Sequence, residues 1–244
     1  MTAPAVHAAG VGKVFPSTGG EVTALTGVDL DVAAGEFVSL IGPSGCGKST
    51  LLRLIADLDT PSAGDLAIFG KAARQARIDQ DYGIAFQQAG LLPWRTVAAN
   101  IALPLELHRW SRARRDARVA ELAELVGLSE FVGRYPDQLS GGMQQRVAIA
   151  RSLAASPQLL LMDEPFGALD EMTRERLQTE LARIAAETGA AVVFVTHSIP
   201  EAVFLSRPGR PRDEALRESP EYFTRVTAVR EALHGAPLQR ANER

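Results

Sequence analysis

Residues 42–50 read Gly42-Pro43-Ser44-Gly45-Cys46-Gly47-Lys48-Ser49-Thr50, a spacing suited to gripping phosphates. Glycines leave backbone N–H groups free to wrap anionic oxygens, and a helix starting after the loop favours negative charge at its N-terminus. Lys48 brings a point charge to the outer phosphates, and the Ser49 hydroxyl can reach Mg²⁺. Far downstream, Leu159-Leu160-Leu161-Met162-Asp163-Glu164 is an apolar run ending in two carboxylates. They suit two roles, Asp163 in a Mg²⁺ shell and Glu164 orienting or deprotonating an attacking water. Read alone, the same acids fit equally well as caps of the next segment; the lysine loop upstream favours chemistry. In Leu139-Ser140-Gly141-Gly142-Met143-Gln144-Gln145-Arg146 a serine and two glycines open a helix, either as a plain N-cap or as a second set of free N–H groups for an anion. A second nest makes sense if it serves a phosphate held by another copy, because a two-fold pair would have two composite sites.

These residues must be positioned by a scaffold. Strand-length apolar runs at Phe37–Ile41, Gly83–Phe86, Leu159–Met162 and Ala191–Val195 alternate with helical periodicity at Ser49–Leu58, Arg112–Val126, Met143–Ala155 and Thr173–Glu187, the last stopped by Gly189. That alternation predicts an α/β fold with a parallel sheet. Each strand run is followed by a polar residue: Gly42, Gln87, Asp163 with Glu164, and Thr196 with His197. In open α/β sheets the crevice beyond the strands' carboxyl ends holds ligands, so four strand ends should converge on one site. Between Gln87 and Leu139 there is no strand-like run, which reads as a mostly helical insertion.

Composition narrows the classes. The 244 residues carry 26 basic and 29 acidic side chains, so the net charge is small and negative. A single cysteine and four histidines exclude an internal disulfide and leave no Cys/His cluster of metal-ligand spacing. No apolar run approaches the 18 or so residues that span a bilayer, and Met1–His7 lacks the layout of a signal peptide. The run His108–Arg118 holds five arginines, but with net charge −3 and only Trp110 interleaved it reads as a solvated helix face, not a nucleic-acid site.

The loop at 42–49, Gln87 in Ala-Phe-Gln-Gln, the Leu-Ser-Gly-Gly-Met-Gln-Gln-Arg segment, the block ending Asp163-Glu164-Pro165, Phe-Gly-Ala-Leu-Asp ending at Asp170, and Thr-His-Ser around His197 occur in one order. With them the chain, over about residues 6–205, resembles the nucleotide-binding subunit of ATP-binding-cassette (ABC) transporters. Stretches 86–97 and 195–206 look like the nitrate/sulfonate/taurine importer group and its thiamine-precursor relatives. The resemblance implies a P-loop NTPase cassette with a mainly parallel sheet core, a helical signature subdomain at about 88–140 and an N-terminal antiparallel β subdomain. It implies ATP and Mg²⁺ as cofactors, with Phe15 stacking on the adenine, Gln87 near Mg²⁺ and the attacking water, and Ser140, Gly141 and Gly142 on the partner's γ-phosphate. It also implies His197 as γ-phosphate sensor and Asp170 at the dimer interface. For Phe15 a core position on a strand is the alternative, and for His197 a structural role.

The partners so implied are a second copy, transmembrane permease subunits, and a periplasmic or extracellular solute-binding protein acting through the permease. The chain would be peripheral, on the cytoplasmic side of the inner membrane. Leu91, Leu92, Pro93 and Trp94 form an apolar loop set that either anchors a permease helix or packs inward. Two features depart from the family pattern. After Leu205 two usual strands are missing, and residues 206–244 suit a tail with one amphipathic helix built on Leu216, Tyr222, Phe223, Val226, Val229 and Leu233. That gap leaves open a nucleotide binder with impaired hydrolysis. Asp57 stands where relatives usually have glycine.

Overall fold

The structure, a computed structural model, describes residues 3–206 and 214–235. In chain order its elements begin with β1 (Val6–Ser17), β2 (Gly20–Val32), β3 (Phe37–Ile41), α1 (Lys48–Ile55), β4 (Ala63–Ile68), β5 (Lys71–Ala72), α2 (Ala73–Asp79) and β6 (Tyr82–Ala85). There follow α3 (Val97–Leu107), α4 (Arg112–Leu125), α5 (Gly141–Leu153), β7 (Leu159–Asp163), α6 (Glu171–Thr188), β8 (Ala191–Thr196), α7 (Ile199–Leu205), α8 (Glu214–Arg217) and α9 (Pro220–Gly235). Two sheets form. One is antiparallel in the order β2-β1-β4-β5, and the other is parallel in the order β3-β8-β7-β6.

Period-2 alternation divides the central strands between two cores. Leu160, Met162, Val192 and Phe194 face the helices α3 to α7, while Leu159, Leu161, Val193 and Val195 face α1 and the antiparallel sheet. Both faces of β7 and β8 are therefore covered, as parallel strands require, and every residue of the two strands is buried. The insertion is helical as read: α3 and α4 pack on α5, burying Ile101, Leu105 and Leu122.

Helix ends explain the differences from the sequence reading. Leu58 does not join the apolar face of α1, which ends at Ile55; Asp57 turns the chain at φ 49° and leaves Leu58 43% exposed. Asp57 thus occupies the left-handed region that glycine takes most easily and that aspartate tolerates better than most residues; its carboxylate pairs with Arg77 Nε at 2.8 Å. Helices α5 and α6 each start two residues before the apolar periodicity, because Ser140 and Asp170 cap them. Gly189 ends α6 in a left-handed cap. In the tail, Ser219 and Pro220 break the chain between α8 and α9: the Ser219 hydroxyl donates to Leu216 O at 2.8 Å and accepts from Tyr222 N–H at 3.2 Å. Residues 207–213, where the sequence reading placed the start of the tail, lie outside the described ones. Among the described residues β3 is an edge strand, with α7 packed beside it and α9 packed on α7.

Candidate functional site

The loop between β3 and α1 is shaped by one glycine above all. Gly47 caps α1 at φ 97°, and a Cβ there would lie 2.6 Å from Leu25 Cδ2 and 2.7 Å from Ala24 O. Glycine alone fits against β2 and still frees the first N–H groups of α1. Lys48 Nζ folds back on the loop, donating to Gly42 O and Pro43 O at 2.8 Å each, with Cys46 Sγ 3.7 Å away.

Opposite this loop stand the ends of β6, β7 and β8. Ser49 Oγ donates to Asp163 Oδ1 at 2.9 Å across 114 residues of chain. Asp163 is 8% exposed; burial raises its carboxyl above the ordinary range, Ser49 lowers it, and Glu164 next door raises it further. A buried acid under that strain, facing a hydroxyl, is a donor set that a divalent cation would relieve. Glu164 sits at φ 45°, a strained conformation for a side-chain-bearing residue, held by its N–H donating to Val195 O at 2.9 Å. The turn brings Glu164 Oε2 to 3.2 Å from both Gln87 Nε2 and His197 Nδ1. Ser44, Lys48, Ser49, Gln87, Glu164 and His197 line one open cleft of about 470 Å³.

The structure keeps other expected residues apart from that cleft. Phe15 is half-buried on β1, paired with Val22, with Lys13 Nζ 4.8 Å over its ring. Ser140 caps α5, its Oγ accepting from Met143 N–H at 3.2 Å, with Gly141 and Gly142 in the first turn. Asp170 caps α6 through Thr173 N–H at 2.9 Å, and that bond holds its carboxyl below the ordinary range. In the loop after Gln87, Leu91 packs against the core, whereas Trp94 is 71% exposed.

Sequence reasoning missed the residues that hold this loop. Asn100 is fully buried; it accepts from Leu92 N–H at 2.8 Å and donates to Leu92, Arg95 and Thr96 carbonyls at 3.0–3.2 Å. From α5, Arg151 donates to Ala89 O and Gly90 O at 2.8 and 2.9 Å, and Gln145 Nε2 to Phe86 O at 2.8 Å. The helix that opens with Ser140 thus clamps the segment carrying Gln87. The available signal was a polar residue on the apolar side of a helix: such groups are buried only with partners.

The family model described as ABC transporter matches residues 25–167. The chain is 49% identical over 200 residues to the taurine import ATP-binding protein TauB of Rhizobium johnstonii, covering 79% of this chain and 76% of the relative. It is 41% identical over 248 residues to the nitrate import ATP-binding protein NrtD of Synechocystis sp., covering 91% and 92%. Among solved structures it is similar to a dimeric post-hydrolysis state of the ATP-binding cassette MJ0796 bound to ADP and Pi, at TM-score 0.77 and 39% identity, covering 81% of this chain and 90% of that one. Matches of this identity and coverage, on a fold that brings the loop of Lys48 to Glu164 and His197, place the chain in the ABC transporter family as an ATP-binding subunit.

Proposed function

We propose that this subunit hydrolyses ATP between two copies of itself to energise an importer of a small anionic or organosulfur solute such as nitrate, a sulfonate or taurine. The meeting of Gln87 and His197 on one oxygen of Glu164, across the cleft from Lys48, carries this reading. Glu164 is the general base for the attacking water, and Gln87 helps to orient that water. The loop from Gly42 to Thr50 wraps the phosphates, Lys48 leaves its two carbonyls for the outer phosphates, and His197 contacts the terminal one. Ser49 and Asp163, with Gln87 beside them, would hold Mg²⁺, which neutralises charge on the phosphate oxygens.

Ser140, Gly141, Gly142 and Asp170 act from the partner copy, in keeping with their separation from this chain's own cleft; the dimeric cassette it resembles supports that arrangement. Phe15 stacks on the adenine. Residues 1–205 form the nucleotide-binding unit, with the helical subdomain at about 88–140, and 206–244 the tail. The solute passes through permease subunits, fed by a solute-binding protein outside, a reading supported by relatives named as import ATP-binding proteins; no helix among the described residues is long and apolar enough to cross a membrane. Exposed Trp94, on a loop clamped by Arg151 and Asn100, is the anchor for a permease helix, and the chain sits at the cytoplasmic face of the inner membrane. The relatives named for taurine and nitrate import support the solute class; a thiamine-precursor importer is the other solute reading. Glu164→Gln tests the base: turnover should fall by at least ~10²-fold with ATP affinity kept, and near-normal turnover would overturn the assignment.

A further inference from the structure

Behind the cleft lies a buried acid that hydrolysis does not use. Glu201 in α7 is 7% exposed, and burial pushes its carboxyl above the ordinary range while hydrogen bonds from Thr196 and Gln178 pull it back. A buried carboxylate is tolerable when both oxygens are satisfied, and here both are. Gln178 Nε2 donates to Oε1 at 2.6 Å, and the Thr196 hydroxyl donates to Oε2.

The chain of bonds continues in both directions. Outward, Arg217 Nη2 in α8 donates to Gln178 Oε1 at 2.5 Å. Its guanidinium lies 3.9 Å over the Phe204 ring, and Nη1 is 3.6 Å from Glu175 Oε1. Inward, Thr196 Oγ1 accepts from Ser198 N–H at 3.0 Å, and Ser198 Oγ accepts from Glu201 N–H at 3.4 Å. Between Thr196 and Ser198 stands His197. A guanidinium can only donate and a carboxylate can only accept, so the Gln178 amide has one orientation and the Thr196 proton one destination. No bond in the series can reverse without orphaning a buried group. A separate tail contact reaches the same turn, where Tyr222 Oη donates to Pro200 O at 2.9 Å.

We propose that Glu201 and Arg217 are positioning residues for His197, with Arg217 conveying the grip of the C-terminal tail on the β8–α7 turn through Gln178, Glu201 and Thr196. The proposal rests on the reading of His197 as the contact to the terminal phosphate. Neither residue lines the nucleotide cleft. Their loss should therefore appear in kcat and not in the KM for ATP.

The test is steady-state ATP turnover by the full chain carrying His197→Ala, Arg217→Ala, Arg217→Lys, Glu201→Gln, or Arg217→Ala with His197→Ala, each checked for fold by circular dichroism. Arg225→Ala, an exposed change on the same tail, controls for general loosening. Misplacing a reacting group by an ångström costs up to about 10²-fold, so Arg217→Ala and Glu201→Gln are expected to lose about ten-fold in kcat with KM within about two-fold. Arg217→Lys should recover part of that loss, and Arg225→Ala should match the parent. Against a His197→Ala background, Arg217→Ala should have no further effect. An unchanged kcat in Arg217→Ala, or a loss that multiplies undiminished on top of His197→Ala, would overturn the proposal while leaving the role of His197 intact. Near-normal turnover in His197→Ala would instead overturn the underlying reading.

Discussion

Among single residues, Lys48 Nζ is held by two loop carbonyls, which on the proposed reading keeps its charge beside the phosphate loop. Lys48→Ala should weaken ATP binding by about ten-fold or more, since a charge-assisted contact contributes about 1.5–3 kcal/mol; a fluorescent-nucleotide titration with unchanged affinity would count against the loop. Glu201 offers a pH test. Its folded value is raised by burial, above that of the unfolded chain, so ionised Glu201 costs stability at neutral pH and that cost vanishes as pH falls through the raised value toward the ordinary one. Arg174 and His197 oppose the shift, and Arg217 reaches it through Gln178. The parent should therefore gain stability relative to Glu201→Gln as pH drops from 7.5 to 5, read as the difference in thermal midpoints; the opposite trend would mean a depressed carboxyl. Lys48 and Ser49 were legible from the glycine-rich loop that follows a strand run, and Asp163, Glu164 and His197 from their places at the ends of two others. Asn100, Arg151 and Glu201 were not, because a polar residue within a helix looks the same in sequence whether it faces solvent or a buried partner.

At the scale of elements, close approach matters more than propensity. Strand β6 and helix α5 touch where Gly83 has no side chain, and a Cβ there would lie 2.0 Å from Ser152 O. Gly83→Ala should cost about 1–3 kcal/mol through overpacking and loosen the Gln87 segment that follows β6; urea midpoints matching the parent's would contradict that packing. The strand runs were legible from β-branched apolar clusters, and the helices from their apolar spacing. Their ends were less so. Ser140 and Asp170 start α5 and α6 earlier than periodicity indicates, since a cap carries no apolar signal. Asp57 stops α1 early by adopting a backbone angle invisible in a hydrophobic pattern. The N-terminal sheet was expected only through family resemblance, because its long strands are half exposed and irregular in register.

Across the whole molecule, one chain brings Lys48, Glu164 and His197 to one cleft and places Ser140, Gly141 and Gly142 outside it; on the proposed reading that is half of a composite site. Two copies in opposite orientation would complete each other, and ATP would shift the equilibrium between separate and closed forms through its preference for the closed one. Hydrolysis would reverse the shift. The expectation of a two-fold pair came from the surplus of anion-binding segments in the sequence, whereas the tail's hold on the His197 turn needed three-dimensional contacts spread over α6, α7 and α8. If nucleotide joins two protomers, blocking hydrolysis should trap that state. Multi-angle light scattering of the purified Glu164→Gln chain should give the monomer mass without nucleotide and twice that mass with saturating MgATP; a mass that stays monomeric at saturation would contradict the account.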